Sequence, residues 1–403
     1  MQTLHSPTQA AEWLRQHVTG VLCTDSRAIQ KGDGFIAWPG MATDGRAYVA
    51  SAFEQGATAC LVEAEDCSQW QLAWQAAENK VPTQVAAYTG LKADTGWIAD
   101  AYYEQPSQAL KVLAVTGTNG KTSATWWLAQ ALNAMKLSAE GEALAPRCAI
   151  VGTLGVGQPP HLMSTGMTTP DPVLLQAQFR KFVAAGISHC AIEASSIGLA
   201  EQRLAGTHIQ LAMLTNFTQD HLDYHGSMAA YWQAKQALFA WPKLEIAVIN
   251  VDDVQGAKLA VDLSQRVLTD ASAQALDLWT CSSQGQAARL QARHLTRNLT
   301  GLAFDVIEGS ESVHLQTSLM GDYNVDNMLG VIAALRALKY DLVQIVQICA
   351  QLKAVPGRME KVAGVEGLEL PLTVVDYAHT PDALKNVLET TTGIWQGRST
   401  IGK

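Results

Sequence analysis

The stretch Lys111-Val-Leu-Ala-Val-Thr116-Gly117-Thr118-Asn119-Gly120-Lys121-Thr122-Ser123 decides the fold. The apolar residues after Lys111 read as a short buried strand. Gly117 and Gly120 punctuate the turn that follows, and Ser123–Met135 has the texture of a helix. A strand that enters a helix through such a turn aims backbone N–H groups and the positive end of the helix dipole at one point, which stabilises an anion. Glycine admits the close backbone approach that a side chain would block. Lys121 can reach terminal phosphates, and the Thr122 hydroxyl can ligate Mg²⁺. The strict pattern G-x-x-x-x-G-K-[ST] is not met, because Val115 stands at its first position. The strand–turn–helix context is met. Thr116, Gly117, Thr118, Asn119, Gly120, Lys121, Thr122 and Ser123 are therefore the candidate phosphate cradle, set against the plain alternative of a glycine-containing strand–helix turn.

Working outward, residues 111 to about 340 alternate strand-like and helix-like segments. Further strand candidates are Ala149–Val151, His189–Ile192, Leu211–Leu214 and Ile246–Val251. Helix candidates are Pro172–Ala185, Met228–Phe239 and Asn327–Leu338. Short apolar strands separated by helices predict a parallel sheet covered on both faces. Leu295–Phe304 and Ser312–Leu319 alternate as antiparallel strands and predict a side β-sheet. Upstream, a first helix capped near Ser6 or Thr8 precedes the apolar runs Gly34–Trp38, Ala59–Glu63 and Thr83–Ala87. Downstream, a unit starting near Pro356 holds the strand Leu372–Asp376 and the helix Pro381–Leu388, and the chain stops at Lys403. The expected fold class is α/β, in three domains over residues 1–108, 109–353 and 354–403. One strand and one helix bury too little apolar surface to stand alone, so the last domain is expected to be incomplete.

Composition narrows the function classes. With 403 residues and 48% hydrophobic content, the chain is too long for one core and too apolar for a disordered tail. A net charge of −9 argues against a broad basic surface for nucleic acid. No apolar run is long enough to span a bilayer, and the N-terminus lacks a secretory pattern. The seven cysteines include no C-x-x-C pair; they fit buried small hydrophobes in a reducing cytoplasm.

A second constellation follows from strand ends. The strand His189–Ile192 runs into Glu193-Ala-Ser195-Ser196, and Leu211–Leu214 runs into a loop that contains Asp220 and His221. Acids at the carboxyl ends of parallel strands face the ligand crevice. Glu193 and His221 are candidate Mg²⁺ ligands beside Thr122, and Lys235 follows in a helix. By themselves, Asp220 and His221 read equally as a capping pair, and Lys235 as a solvated helix face.

Taken together, Thr116–Ser123, Glu193–Ser196, Asn216–Gly226 and Lys235 resemble the Mur ligases of peptidoglycan synthesis, and the likeness runs from Asp25 to Asp382. Within that family it is to the branch that adds the third amino acid to UDP-N-acetylmuramoyl-L-alanyl-D-glutamate. The resemblance implies an ATP-dependent reaction through an acyl phosphate, attacked by an amine to give an amide, ADP and phosphate. It implies that Lys235 is carbamylated by CO₂, which turns a cation into an anion able to hold a second Mg²⁺. The implied catalytic set is Lys121, Glu193, His221 and Lys235. Thr122 and Glu193 would serve one Mg²⁺, His221 and carbamylated Lys235 the other. Carbamylation needs a neutral amine, hence a lysine shifted down by burial or nearby cations.

The same resemblance implies uridine-nucleotide contacts from Ser26, Met41, Ala42 and Thr43; the adjoining Asp44-Gly45-Arg46 reads equally as a plain turn. Met167, Thr168, Thr169, Ser195 and Arg203 would hold the muramoyl peptide. Two positions depart from the family pattern: Ile197 stands for a histidine and Glu201 for a glutamine. An added anion at Glu201 weakens binding of an anionic substrate unless Arg203 or a metal offsets it. Asn327 would sit near adenine, Arg358 and His379 near phosphate, and Asp376 at the ribose hydroxyls. The partners implied are a UDP-muramoyl dipeptide and an amino acid, with no nucleic acid or membrane, acting on a cytoplasmic monomer. The family's Asp-Asn-Pro-Arg motif, which selects the amino acid, is absent before Lys403. That leaves meso-diaminopimelate ahead of lysine, and a chain expected to be impaired in ligation alone. The competing readings are a folylpolyglutamate-synthase-type ligase and a non-catalytic nucleotide-binding remnant.

Overall fold

A computed structural model describes residues 1–40, 43–76, 84–135, 145–269, 275–298, 301–362 and 373–399. Met41 and Ala42 lie outside the described residues. The chain divides into two units, one comprising Met1–Leu110, Thr169–Ile187 and Gly198–His208, the other Lys111–Thr168, Ser188–Ile197 and Ile209–Lys403.

Period-two alternation builds the first unit. Its five parallel strands stand in the order Gln2–Leu4, Val85–Tyr88, Ala59–Glu63, Gly34–Ala37, Leu22–Cys23. Ile36, Leu61 and Ala86 pack on one face with Trp13, Leu14 and Ile98. Phe35, Cys60, Val62 and Val85 pack on the other with Val49 and Trp74. Both faces are therefore buried, which is why the strands read as continuous apolar runs rather than as alternating ones. Ser6, not Thr8, caps the first helix, Pro7–His17, by accepting from Gln9 N.

The second unit carries an eleven-stranded sheet among the described residues. Its parallel strands stand in the order Asp277–Ser282, Ile246–Asn250, Ile209–Leu214, Lys111–Thr116, His189–Glu193, Cys148–Gly152. Helices Lys121–Ala134 and Tyr323–Ala337 bury Trp127, Leu128, Leu132, Met328 and Ile332 in its main core. The antiparallel strands Leu290–Asn298, Gly301–Glu308 and Glu311–Thr317 hydrogen-bond onto the Asp277–Ser282 edge and continue the sheet. The expectation of one strand over Leu295–Phe304 is corrected: the chain reverses there, and Asn298 pairs with Gly301. Two antiparallel strands stand where one was expected, and the alternation of each gave no sign of the break. Lys235 lies in the helix Met228–Gln236, which ends earlier than the apolar texture suggests and passes into a short 3₁₀ turn, Ala237–Ala240. No helix among the described residues is long and apolar enough to cross a membrane.

Asp100, on the first unit's helix Leu91–Tyr102, is buried with Oδ1 lacking a hydrogen-bond partner among the described residues. Burial pushes its carboxyl up from 3.8 to about 7. Between those values the native state holds a proton that the unfolded state has released, so this group's stabilising contribution falls as pH rises through the window. Asp100→Asn is therefore expected to raise Tm above pH 7 and to lose that advantage as the pH approaches 4, measured by thermal melts across about pH 4 to 8.

Candidate active site

The carboxyl ends of three adjacent strands, Lys111–Thr116, His189–Glu193 and Ile209–Leu214, define the site. Val115 stands level with Glu193, and Thr116 with Leu214. The first strand lies between the other two, so the loops leaving its end and theirs open onto one crevice, where open parallel sheets bind ligands.

Backbone geometry fixes the loop after Thr116. Gly117 has φ +146°, and a Cβ there would collide with Thr215 Oγ1. Gly120 has φ +86°, and a Cβ there would meet Asn327 Oδ1. From the next strand end, Thr215 Oγ1 donates to Asn119 O at 2.5 Å, and Asn216 Oδ1 accepts from Asn119 N at 2.8 Å. Thr118 N in turn donates to Asn216 O at 2.9 Å. Helix Lys121–Ala134 starts directly after Gly120 with no side chain capping it. Its first N–H groups are thus left for an anion.

Two lysines converge on this loop. Lys121 Nζ donates to Gly117 O at 2.9 Å and to Thr118 O at 2.8 Å. Lys235 Nζ donates to the same Gly117 O at 2.7 Å and lies 4.6 Å from the Tyr231 ring centroid. Lys235 is 1% exposed. Burial drives it far below the usual lysine range, Lys121 adds to that shift, and Asp220 opposes it. Burial also lowers Lys121, against Glu193 and Asp220.

Glu193 faces them, also 1% exposed. Its Oε2 accepts from Thr122 Oγ1 at 3.1 Å and its Oε1 from Thr153 N at 2.8 Å. Burial raises its pKa, while Lys121, Thr153, Thr122 and Arg358 pull it down. Glu193 and Thr122 present hard oxygen donors side by side, the set Mg²⁺ takes together with substrate phosphates. Among the described residues no three His, Cys, Asp or Glu side chains are grouped to hold a metal. A cation here would have to draw its remaining ligands from water or phosphate. His221 lies at the end of the next loop with φ +49°, its Nε2 3.4 Å from Asp220 Oδ2. Burial lowers its pKa, against Asp220.

These groups share a cavity of about 620 Å³. It is lined by Thr118 to Ser123, Thr168, Glu193, Ser195, His221, Lys235, Asn327, Arg358, Asp376 and His379. Thr116 and Gly117 support the loop without lining the cavity: Thr116 is fully buried and Gly117 turns toward Thr215. Met167 is exposed and does not line it either. Thr153 and Tyr323 line the cavity and were given no role from sequence; Asp220 and Ser196, read there only as a capping partner and as part of the Glu193–Ser196 stretch, line it as well. Thr153 was accessible to the strand-end rule, since it follows Cys148–Gly152.

Within the first unit, Asp25 and Asp44 each cap a 3₁₀ turn and pair with the arginine two residues on, Arg27 and Arg46. Ser26 is buried in the first of these turns; Thr43 precedes the second and contacts Tyr48 Oη at 3.2 Å. Arg203 Nη1 donates to Thr169 O at 2.9 Å. The expectation that Arg203 or a metal must offset Glu201 meets another cation: Lys92 Nζ lies 2.6 Å from Glu201 Oε2.

The family descriptions "Mur ligase middle domain" and "Mur ligase family, catalytic domain" match residues 115–335 and 17–90. The chain is 57% identical over 391 residues to a UDP-N-acetylmuramoyl-L-alanyl-D-glutamate--2,6-diaminopimelate ligase of Acidovorax sp. (strain JS42), covering 96% of this chain and 74% of that one. The chain belongs to the Mur ligase family. A second relative with the same name, from Janthinobacterium sp. (strain Marseille), is 42% identical, covering 94% of this chain and 72% of its own. A solved structure of a ligase of that name superposes with TM-score 0.71 at 30% identity, covering 93% of this chain and 70% of its own. The parallel-sheet α/β architecture is thus that of the Mur ligases.

The glycine geometry is open to a direct test. Gly117→Ala forces a left-handed φ on alanine and a clash with Thr215, and is expected to destabilise the protein by about 1–3 kcal/mol, read as a lower denaturant midpoint.

Proposed function

We propose that the chain is an ATP-dependent ligase that joins meso-diaminopimelate to UDP-N-acetylmuramoyl-L-alanyl-D-glutamate through an acyl phosphate. One observation carries the reading: Lys121 and Lys235 both meet Gly117 O, opposite the Thr122–Glu193 pair and at the mouth of an uncapped helix. The names of the relatives supply the substrates.

In this reading the free N–H groups after Gly120 and the Lys121 ammonium bind the terminal phosphates, the ammonium exchanging its carbonyl partners for phosphate oxygens. Thr122 and Glu193 would hold a Mg²⁺, whose charge would offset that of the phosphates. The substrate carboxylate attacks the γ-phosphorus and ADP leaves. The amine then attacks the acyl carbon, forming the amide as phosphate departs. Arg358, whose Nη2 lies 3.5 Å from Thr122 Oγ1, and His379 add charge on the phosphate side. Asn327 takes adenine and Asp376 the ribose. Ser26, Thr43 and the neighbouring Met41 and Ala42 take the uridine nucleotide; Met167, Thr168, Thr169, Ser195, Arg203 and Lys92-neutralised Glu201 take the peptide.

Lys235 is proposed to carry a carbamate. Its burial and the cation beside it keep its amine neutral, and that amine adds to CO₂, losing one proton. The resulting anion and His221 would hold a second Mg²⁺. Residues 354–403 are proposed as a third domain, and a cytoplasmic monomer as the working form.

Lys121→Ala is expected to lower UDP-dipeptide-dependent ADP release about 10²-fold or more. Undiminished release would refute the assignment. Stripping CO₂ is expected to depress turnover and bicarbonate to restore it, while labelled bicarbonate gives a carbamate resonance that Lys235→Ala abolishes. Activity indifferent to CO₂, with no such resonance, would remove the carbamate.

A further inference from the structure

Tyr323 opens the helix Tyr323–Ala337 and lines the cavity. Its hydroxyl oxygen is buried and has no hydrogen-bond partner among the described residues. A buried polar group left unpaired destabilises the fold, so such an atom on a cavity-lining residue points to a partner that arrives with the ligand.

The ring is held in place by the chain around it. Gly321 has φ +88°, and a Cβ there would stand 2.7 Å from Tyr323 Cε1 and 3.2 Å from its hydroxyl oxygen. The glycine two residues earlier therefore leaves the slot into which the phenol folds.

The surroundings say what the partner is. Burial raises the Tyr323 phenol, Asp376 raises it further, and Arg358 opposes them, so the group stays protonated and able to donate. Asp376 also lines the cavity, and its Oδ2 accepts from Met359 N at 2.8 Å. An ionised carboxylate only accepts, whereas a phenol can donate. An acceptor and a donor that both line one cavity, and are close enough to act on each other electrostatically, match two neighbouring hydroxyls, each of which can give one hydrogen bond and take another.

We propose that Tyr323 is a nucleotide-binding residue: its hydroxyl and the Asp376 carboxylate clamp the ribose diol of ATP, Tyr323 donating to one hydroxyl while Asp376 accepts from the other. The clamp rests on the ATP reading above and adds to it a residue that recognises the sugar. By resemblance the sequence places the segment Gly321–Asn327 near the adenine, singling out Asn327 and giving the Tyr323 hydroxyl no role.

Calorimetric titration of the full chain with Mg²⁺ and ATP, 2′-deoxy-ATP or 3′-deoxy-ATP tests the clamp. Tyr323→Phe is expected to weaken ATP about tenfold, the loss of one good hydrogen bond. It should leave unchanged the affinity for the one deoxy analogue that lacks the hydroxyl Tyr323 meets. Without nucleotide, Tyr323→Phe should melt at the same temperature or higher, because the unpaired hydroxyl is gone, while the ATP-induced rise in Tm shrinks. Unaltered ATP affinity overturns the clamp. So does an equal loss for all three nucleotides, or a fall in the nucleotide-free Tm. If the unsubstituted chain binds none of the three, the ATP reading fails first and the clamp with it.

Discussion

One carbonyl oxygen organises the second unit's chemistry. Gly117 O accepts from Lys121 and Lys235 at once, so two ammonium-bearing side chains from distant helices are held at the same loop. Like charges at that separation in a buried site disfavour each other's protonation. The loop cannot relax away, because Gly117 is wedged against Thr215 and Asn119 is bound on both sides by Thr215 and Asn216. The site therefore holds lysine amines shifted toward their neutral form, which a bound anionic phosphate would draw back toward the charged form.

Glu193 is the counterweight. It sits on the strand beside the loop, with Gly152 clearing room for its carboxyl: a Cβ at Gly152 would strike the carboxyl group. Thr122 and Thr153 orient its two oxygens. Burial raises its pKa while Lys121 and Arg358 pull it down, and a metal cation beside its oxygens would add to that pull. Tyr323 lines the same cavity, and its hydroxyl has no hydrogen-bond partner among the described residues.

The first unit works differently. Its local motifs are self-satisfied: Asp25 with Arg27, Asp44 with Arg46, Arg203 with Thr169, Lys92 with Glu201. The Glu201 departure meets a lysine on the helix Leu91–Tyr102. No local pattern reveals such a pairing, since the partners lie over a hundred residues apart in sequence.

The sequence by itself determined the strand–helix alternation around the central parallel strands, the phosphate loop and the residues at strand ends. These are local facts, written in apolar runs, glycine spacing and the polarity of the residue after each strand. It also placed Lys121, Thr122 and Glu193 together by the strand-end rule. The break between the antiparallel strands of Leu290–Glu308 escaped it, because the alternation of each gave no sign of it. Only the tertiary structure decided that Lys235 is buried against Gly117 rather than solvated on its helix, that Thr153 holds Glu193, and that the Tyr323 hydroxyl is left unpaired at the cavity. Those facts depend on which strands become neighbours and on the depth of burial that follows, and burial sets the protonation and hydrogen bonding on which the chemistry turns.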